Sequence, residues 1–174
     1  MRTCLFYLCK NEAIYHQVQQ EIDTYYQTHE LTAPITYQQT LELPLFCACI
    51  REATRLLPSI VYQLLRYAPE DLVVDGKTVP PGTCVGISPI AANRDKAVWG
   101  MFDVNESLMD FSKRFAGNDA DDFNPSRWLG DAERMRFYNT HDMTFGGSGP
   151  RTCVGRNIAL VGLHVDFRGF MLTT

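Results

Sequence analysis

The residues with most chemistry to offer lie near the C-terminal end, in Phe145-Gly146-Gly147-Ser148-Gly149-Pro150-Arg151-Thr152-Cys153-Val154-Gly155-Arg156-Asn157. A cysteine that binds a metal does so as the thiolate, and that charge needs stabilising. The head of a helix offers exposed N–H groups and the positive end of the helix dipole. A helical pattern begins near Val154, which puts Cys153 at such a head. Glycines on both sides, with Gly149 and Gly155 nearest, let the backbone approach a flat cofactor closely and supply N–H donors to sulfur. Taken alone, the loop also fits a glycine-rich turn holding an incidental buried cysteine.

A second pattern is Glu52-Ala53-Thr54-Arg55. Residues at i and i+3 share a helix face, so this carboxylate and guanidinium can meet. The surrounding segment is apolar, which favours a buried pair. Such a pair fits the fixing of one arrangement better than it fits a gain in stability. An ordinary surface ion pair is the alternative. A third pattern, Phe123-Asn124-Pro125-Ser126-Arg127-Trp128, reads as an ordered loop whose Arg127 could join Glu52 and Arg55 in three dimensions.

The elements that must position these groups are mostly helical. Leu5, Leu8, Cys9, Ile14, Val18 and Ile22 recur every three to four positions and predict a helix over residues 2–27. A short helix is expected over 36–43. A mostly apolar one follows Pro44 and stops before Pro58. Residues 60–66, 72–74 and 84–87 read as short strands, with turns at Asp75-Gly76 and at Pro80-Pro81-Gly82-Thr83. The chain from Asp119 onward reads as loop.

Composition narrows the function classes. With 45% apolar and 21% charged residues, the chain matches a soluble globular domain. A net charge of −4 gives no basic footprint, so nucleic acid is not an expected partner. No apolar run is long enough to span a bilayer, and the N-terminus lacks the features of a signal peptide. Six cysteines form no CxxC pair, and the four histidines are scattered. Apart from Cys153, the cysteines read as reduced, buried core residues of an intracellular protein. A zinc or disulfide protein is a distant alternative.

Order and spacing carry the argument further. ExxR, then Pro-x-Arg-Trp, then Gly-x-Arg-x-Cys-x-Gly leading into a helix resembles the C-terminal signature of the cytochrome P450 superfamily. The wording of Asn93-Arg94-Asp95, Val98-Trp99-Gly100 and Gly155-Arg156-Asn157-Ile158-Ala159-Leu160 is similar to that of microsomal fungal members. The resemblance covers roughly residues 2–161. It implies a mainly α fold with small β elements, the heme-proximal part of the family's domain, within a single partial domain over 1–174. It also implies heme b, bound through iron to Cys153. Gly149, Gly155 and Phe145 would lie against the heme, with Arg151 and Arg66 on its propionates. Glu52, Arg55 and Arg127 would form the network that locks helix to loop, and Ser59 to Leu65 would border the substrate pocket. The activity implied is monooxygenation of an organic small molecule, with electrons from NADPH-cytochrome P450 reductase, at the cytoplasmic face of the endoplasmic reticulum membrane.

Departures from the family pattern qualify this reading. The oxygen-activation helix with its acid–alcohol pair and the membrane anchor are absent from the residues given. A catalytically inactive heme-binding fragment is therefore an alternative, as is an isomerase- or dehydratase-type heme-thiolate protein. Phe145 stands one residue further from Cys153 than the pattern expects. Residues 162–174 do not continue the family's closing helix, so a loosened proximal wall is expected. Residues 101–117 interrupt the step from Val98-Trp99-Gly100 to the acidic Asn118-Asp119-Ala120-Asp121-Asp122, and they read as a translated intron. Gly100-Met101-Phe102 can be encoded with a GTATGT donor, and Ala116-Gly117 with a CAG acceptor. Excision from the second base of codon 100 through the first base of codon 117 removes a multiple of three bases, and the split codon at the junction still encodes glycine. A true loop insertion would be tolerated at modest entropic cost. Sequencing of cDNA across codons 95–125 should give a transcript joining Gly100 to Asn118, and a mature transcript that retains codons 101–117 would overturn the intron reading.

Overall fold

Pro44 opens the helix around which the other elements assemble. It occupies the first helical position, where its missing N–H costs nothing. The next two free N–H groups, those of Leu45 and Phe46, donate to Glu21 Oε1 and Oε2, each at 2.9 Å. A carboxylate at a helix head is favourable for the same dipole reason. This is the fourth helix (α4, Pro44–Leu56) of a computed structural model that describes residues 2–29, 36–100, 119–130 and 132–171.

Helices α1 (Arg2–Lys10) and α2 (Glu12–Thr28) pack on α4 through Cys4, Leu8, Val18 and Ile22 against Phe46, Cys49, Ile50 and Ala53, all buried. The single helix expected over 2–27 is in fact these two. Asn11 divides them: its Nδ2 donates to the Tyr7 carbonyl at 2.7 Å, competing with the helical ladder. The helix expected over 36–43 contracts to α3, Tyr37–Thr40, opened by a reciprocal Thr36–Gln39 capping box.

The strands are shorter or more numerous than the sequence suggested. The run expected to begin at Ile60 becomes β1 only at Leu64–Tyr67, paired antiparallel with β4, Cys84–Ile87. Between them β2 (Leu72–Val74) pairs with β3 (Lys77–Val79), which the periodicity did not reveal. Asp75 at φ 50° and Gly76 at φ 72° make the tight primed turn that joins these two. Two short helices follow, α5 (Pro89–Ala92) and α6 (Lys96–Trp99).

The stretch from Asp119 is not plain loop. It holds 3-10 turns at Asp119–Asp121 and Pro125–Trp128, then α7, Ala132–His141. Trp99, Trp128, Tyr138, Ala48 and Ala120 make a second buried cluster, with the Trp99 and Tyr138 rings stacked at 5.0 Å. The insertion expected at 101–117 lies outside the described residues.

The C-terminal helix corrects a further expectation. It begins at Arg156 rather than Val154 and runs through Met171 as α8, so the described part of the 162–174 tail is helical. Phe167 is fully buried and stacks on Phe46 at 5.1 Å. His164 lies edge-on to Tyr37, with its Nε2 3.7 Å from Cys47 Sγ. The described part of the tail thus docks on α3 and α4. Among the described residues, no helix is long and apolar enough to cross a membrane. Phe167→Ala should cost about 3–5 kcal/mol, read as a lowered denaturant midpoint. An unchanged midpoint would mean that α8 does not dock on α4.

Candidate functional site

Glu52 and Arg55 face inward from α4 and are wholly buried, together with Arg127. The surface-pair alternative is therefore excluded. Arg55 holds Glu52 in a fork: Nε donates to Oε2 and Nη2 to Oε1, both at 2.9 Å. Its Nη1 donates to the carbonyls of Asn93 at 2.6 Å and Ala120 at 2.7 Å. Arg127, from the Pro125–Trp128 turn, donates through Nε to Glu52 Oε1 at 3.3 Å and through Nη2 to Asp119 Oδ2 at 3.0 Å. Its Nη1 donates to the Trp99 carbonyl. Burial pushes the Arg127 pKa down, but Glu52 and Asp119 beside it outweigh that and hold the guanidinium charged.

Sequence reasoning missed several partners. The Trp128 indole donates to Glu52 Oε2 at 2.8 Å, and the Asn124 amide to Oε1 at 3.1 Å. Asn93 is fully buried at the end of α5 and bonds to α4 and to residues 142–144. Single neutral residues in loops leave no periodic signal, so only the resemblance around Asn93-Arg94-Asp95 drew attention to that segment.

The cysteine loop is a chain of tight turns. Gly146, Gly147 and Gly149 have φ of 84°, 80° and 108°, a region that side chains disfavour. A Cβ on Gly147 would also lie 2.9 Å from Met143 Sδ. Thr152 Oγ1 donates to the Gly147 and Gly149 carbonyls at 3.0 and 2.8 Å. The Cys153 amide donates to the Phe145 carbonyl at 2.9 Å, closing the loop ahead of α8. Cys153 is exposed, and a Cβ on Gly155 would sit 3.8 Å from its sulfur. The half-buried Phe145 ring lies 5.7 Å from the Arg156 guanidinium. A cleft of about 230 Å³ beside the loop is lined by Asn139, Asp142, Phe145, Ser148, Thr152 and Arg156.

Arg66 and Arg151 are exposed, and among the described residues neither is bonded to Cys153. Arg66 lies on β1 and donates to the Leu65 carbonyl at 2.7 Å. The strand nonetheless abuts the loop, because a Cβ on Gly146 would lie 3.5 Å from Leu64 Cδ1 and 3.7 Å from the Arg151 carbonyl. Val154, Ile158 and Val161 leave an apolar face of the α8 region uncovered beside Cys153.

The cytochrome P450 family model matches residues 1–101. The cytochrome P450 monooxygenase cicH of Emericella nidulans is 34% identical over 164 residues, 93% of this chain and 29% of that protein. Pisatin demethylase of Fusarium vanettenii is 32% identical over 162 residues, 92% of this chain and 27% of that protein. The chain belongs to the cytochrome P450 family. It spans less than a third of the length of these two relatives. The family match ends at residue 101, where the expected insertion begins. Cytochrome P450 membership implies a heme iron cofactor, and the mainly α fold with small antiparallel sheets agrees with it.

Removing one partner from a buried ion network strands the others. Arg55→Ala should destabilise the chain by about 3–5 kcal/mol in chemical denaturation. Arg55→Lys should recover little, because one ammonium cannot fork to two carboxylate oxygens and also reach the carbonyls. A loss below about 1 kcal/mol for Arg55→Ala, the range of exposed pairs, would show that the network does not hold the fold.

Proposed function

We propose that this cytochrome P450 chain carries a heme-thiolate centre, with Cys153 as the axial ligand, that serves monooxygenation of an organic small molecule. The observation that carries the reading is Cys153 itself: an exposed thiol at the head of α8, its amide bonded to the Phe145 carbonyl across a glycine loop. The surroundings suit heme b. Exposed Val154 and Ile158 beside the cysteine offer apolar surface to a porphyrin face. Exposed Arg66 and Arg151 are of the residue type that pairs with propionates in forked hydrogen bonds. Nothing lies within 4 Å of where a Cβ on Gly149 would stand, and Gly155 sits beside the sulfur, so both would leave room for the macrocycle, with Phe145 against it.

Bound heme supplies the iron at which oxygen is activated, and a thiolate ligand pushes electron density toward it. This chain's own part is to hold the thiolate in place. The Glu52–Arg55–Arg127 network keeps α4, the Asp119–Trp128 segment and the loop in one arrangement. Ser59 to Leu65 would border the organic substrate. NADPH-cytochrome P450 reductase would donate electrons at the cytoplasmic face of the endoplasmic reticulum membrane. Residues 101–117 are read as an insertion, supported by a family match that closes at residue 101.

The reduced carbon monoxide complex of the heme-loaded protein should give the red-shifted Soret band of a thiolate-ligated heme. Cys153→Ser should abolish that band, since a neutral hydroxyl cannot replace the thiolate donor. Persistence of the band in Cys153→Ser would remove Cys153 from the role.

A further inference from the structure

We infer that Asn93 is a positioning residue for the Cys153 loop, coupling it to the buried Glu52–Arg55 pair; the ligation part of the inference rests on the function proposed above. Asn93 is wholly buried, and every polar atom it can offer is engaged. Its carbonyl accepts from Arg55 Nη1 at 2.6 Å. Its Oδ1 accepts the Met143 amide at 2.7 Å. Its Nδ2 faces acceptors only: the Arg55 carbonyl at 3.3 Å, Thr144 Oγ1 at 3.3 Å and Asp142 Oδ1 at 3.5 Å. A flipped amide would set oxygen against these oxygens and nitrogen against an N–H, so one orientation is enforced.

From Met143 the bonds continue to the cysteine. The Met143 carbonyl accepts the Gly146 amide at 3.0 Å, and the Phe145 carbonyl accepts the Cys153 amide at 2.9 Å. A relay therefore runs from Glu52 through Arg55, the Asn93 backbone and side chain, and Met143 to the two turns that fix Cys153. Thr144 Oγ1 lies 3.4 Å from the Thr54 carbonyl on α4, but its single hydroxyl hydrogen is taken by Asp142 Oδ1 at 2.5 Å, which leaves the oxygen as an acceptor for Asn93. The Asp142 carboxylate takes the Thr144 amide at 2.8 Å, so it is held as an acceptor for Asn93 and does not compete for Met143. Asn93 is the one side chain among the described residues that bonds both to α4 and to the Met143 amide. Without it, the side-chain tie from α4 nearest the loop among the described residues would be Arg51 to Asn139, a turn earlier in α7.

Two variants separate positioning from bulk stability. Asn93→Leu keeps similar volume and removes every side-chain bond. Asn93→His can present Nδ1 to the Met143 amide and an N–H to the acceptors. In the chain without heme, Asn93→Leu should speed amide exchange at Met143, Gly146 and Cys153 by about tenfold, the scale of one lost buried hydrogen bond. In the heme-loaded protein, its thiolate-ligated fraction should fall severalfold at matched heme content, with Asn93→His restoring most of it. Exchange at wild-type rates in Asn93→Leu would overturn the relay whatever the spectrum. Wild-type exchange data with no thiolate band in wild type would instead sink the heme reading and leave the relay standing. If Asn93→Leu does not fold, Asn93→His decides: protected Met143 and Cys153 amides support the relay, and their loss at an unchanged melting temperature overturns it.

Discussion

Glu52 sets the terms for the rest of the molecule. A carboxylate removed from water must be matched by donors or it destabilises whatever encloses it. Here those donors come from three places: Arg55 one turn along α4, Arg127 and Trp128 from the Pro125–Trp128 turn, and the Asn124 amide before it. No single element can satisfy the charge, so α4 and the segment after Asp119 must fold against each other together. The guanidiniums then have donors to spare. They spend these on carbonyls of Asn93, Trp99, Asp119 and Ala120, which pins α5, α6 and the first 3-10 turn as well. Buried charge of this kind adds little net stability, but it selects one arrangement over compact alternatives.

The loop answers a different constraint. It must turn sharply several times and still present one side chain outward. Three glycines at positive φ provide the turns, and Thr152 ties off the carbonyls that those turns expose. The loop has little apolar burial of its own, so its position depends on what lies beneath it: Asn93, Asp142 and Thr144 on one side and Leu64 of β1 on the other. Rigid support under a short irregular loop is what a ligand-presenting site needs.

Much of this was legible in the sequence because it depends on periodicity or on charge in apolar company. The α4 helix, the Asp75-Gly76 turn and the inward-facing Glu52 and Arg55 are of that type. The break at Asn11 was not legible, because the apolar repeat runs through it while a side-chain amide decides the backbone. Nor was the docking of α8. A tail that departs from the family's wording was expected to contribute little, yet helix formation needs only spacing, and Phe167 and His164 fall where α3 and α4 leave apolar room. Asn93 and Trp128 were overlooked as partners because the bonds they make are set by tertiary placement, not by neighbours in the chain.

The six thiols show how environment sorts one residue type into different chemistries. Burial pushes the Cys49 thiol well up, with Glu21 and Glu52 adding to the effect, and it takes Cys47 to about 11. Cys4 is raised by burial as well. These three are core groups held as neutral thiols. Cys9 and Cys84 are exposed, against the expectation of burial. Cys9 sits in the last turn of α1, at the negative end of its dipole, and Cys84 lies on a strand that carries little net dipole. Among the described residues no group of three or more His, Cys, Asp or Glu side chains that could hold a metal gathers. Cys153 alone combines exposure, a place at the head of a sixteen-residue helix and glycines close enough to leave its sulfur open. Exposure and position thus separate Cys153 from the three thiols packed in the core and from the two exposed ones elsewhere on the surface.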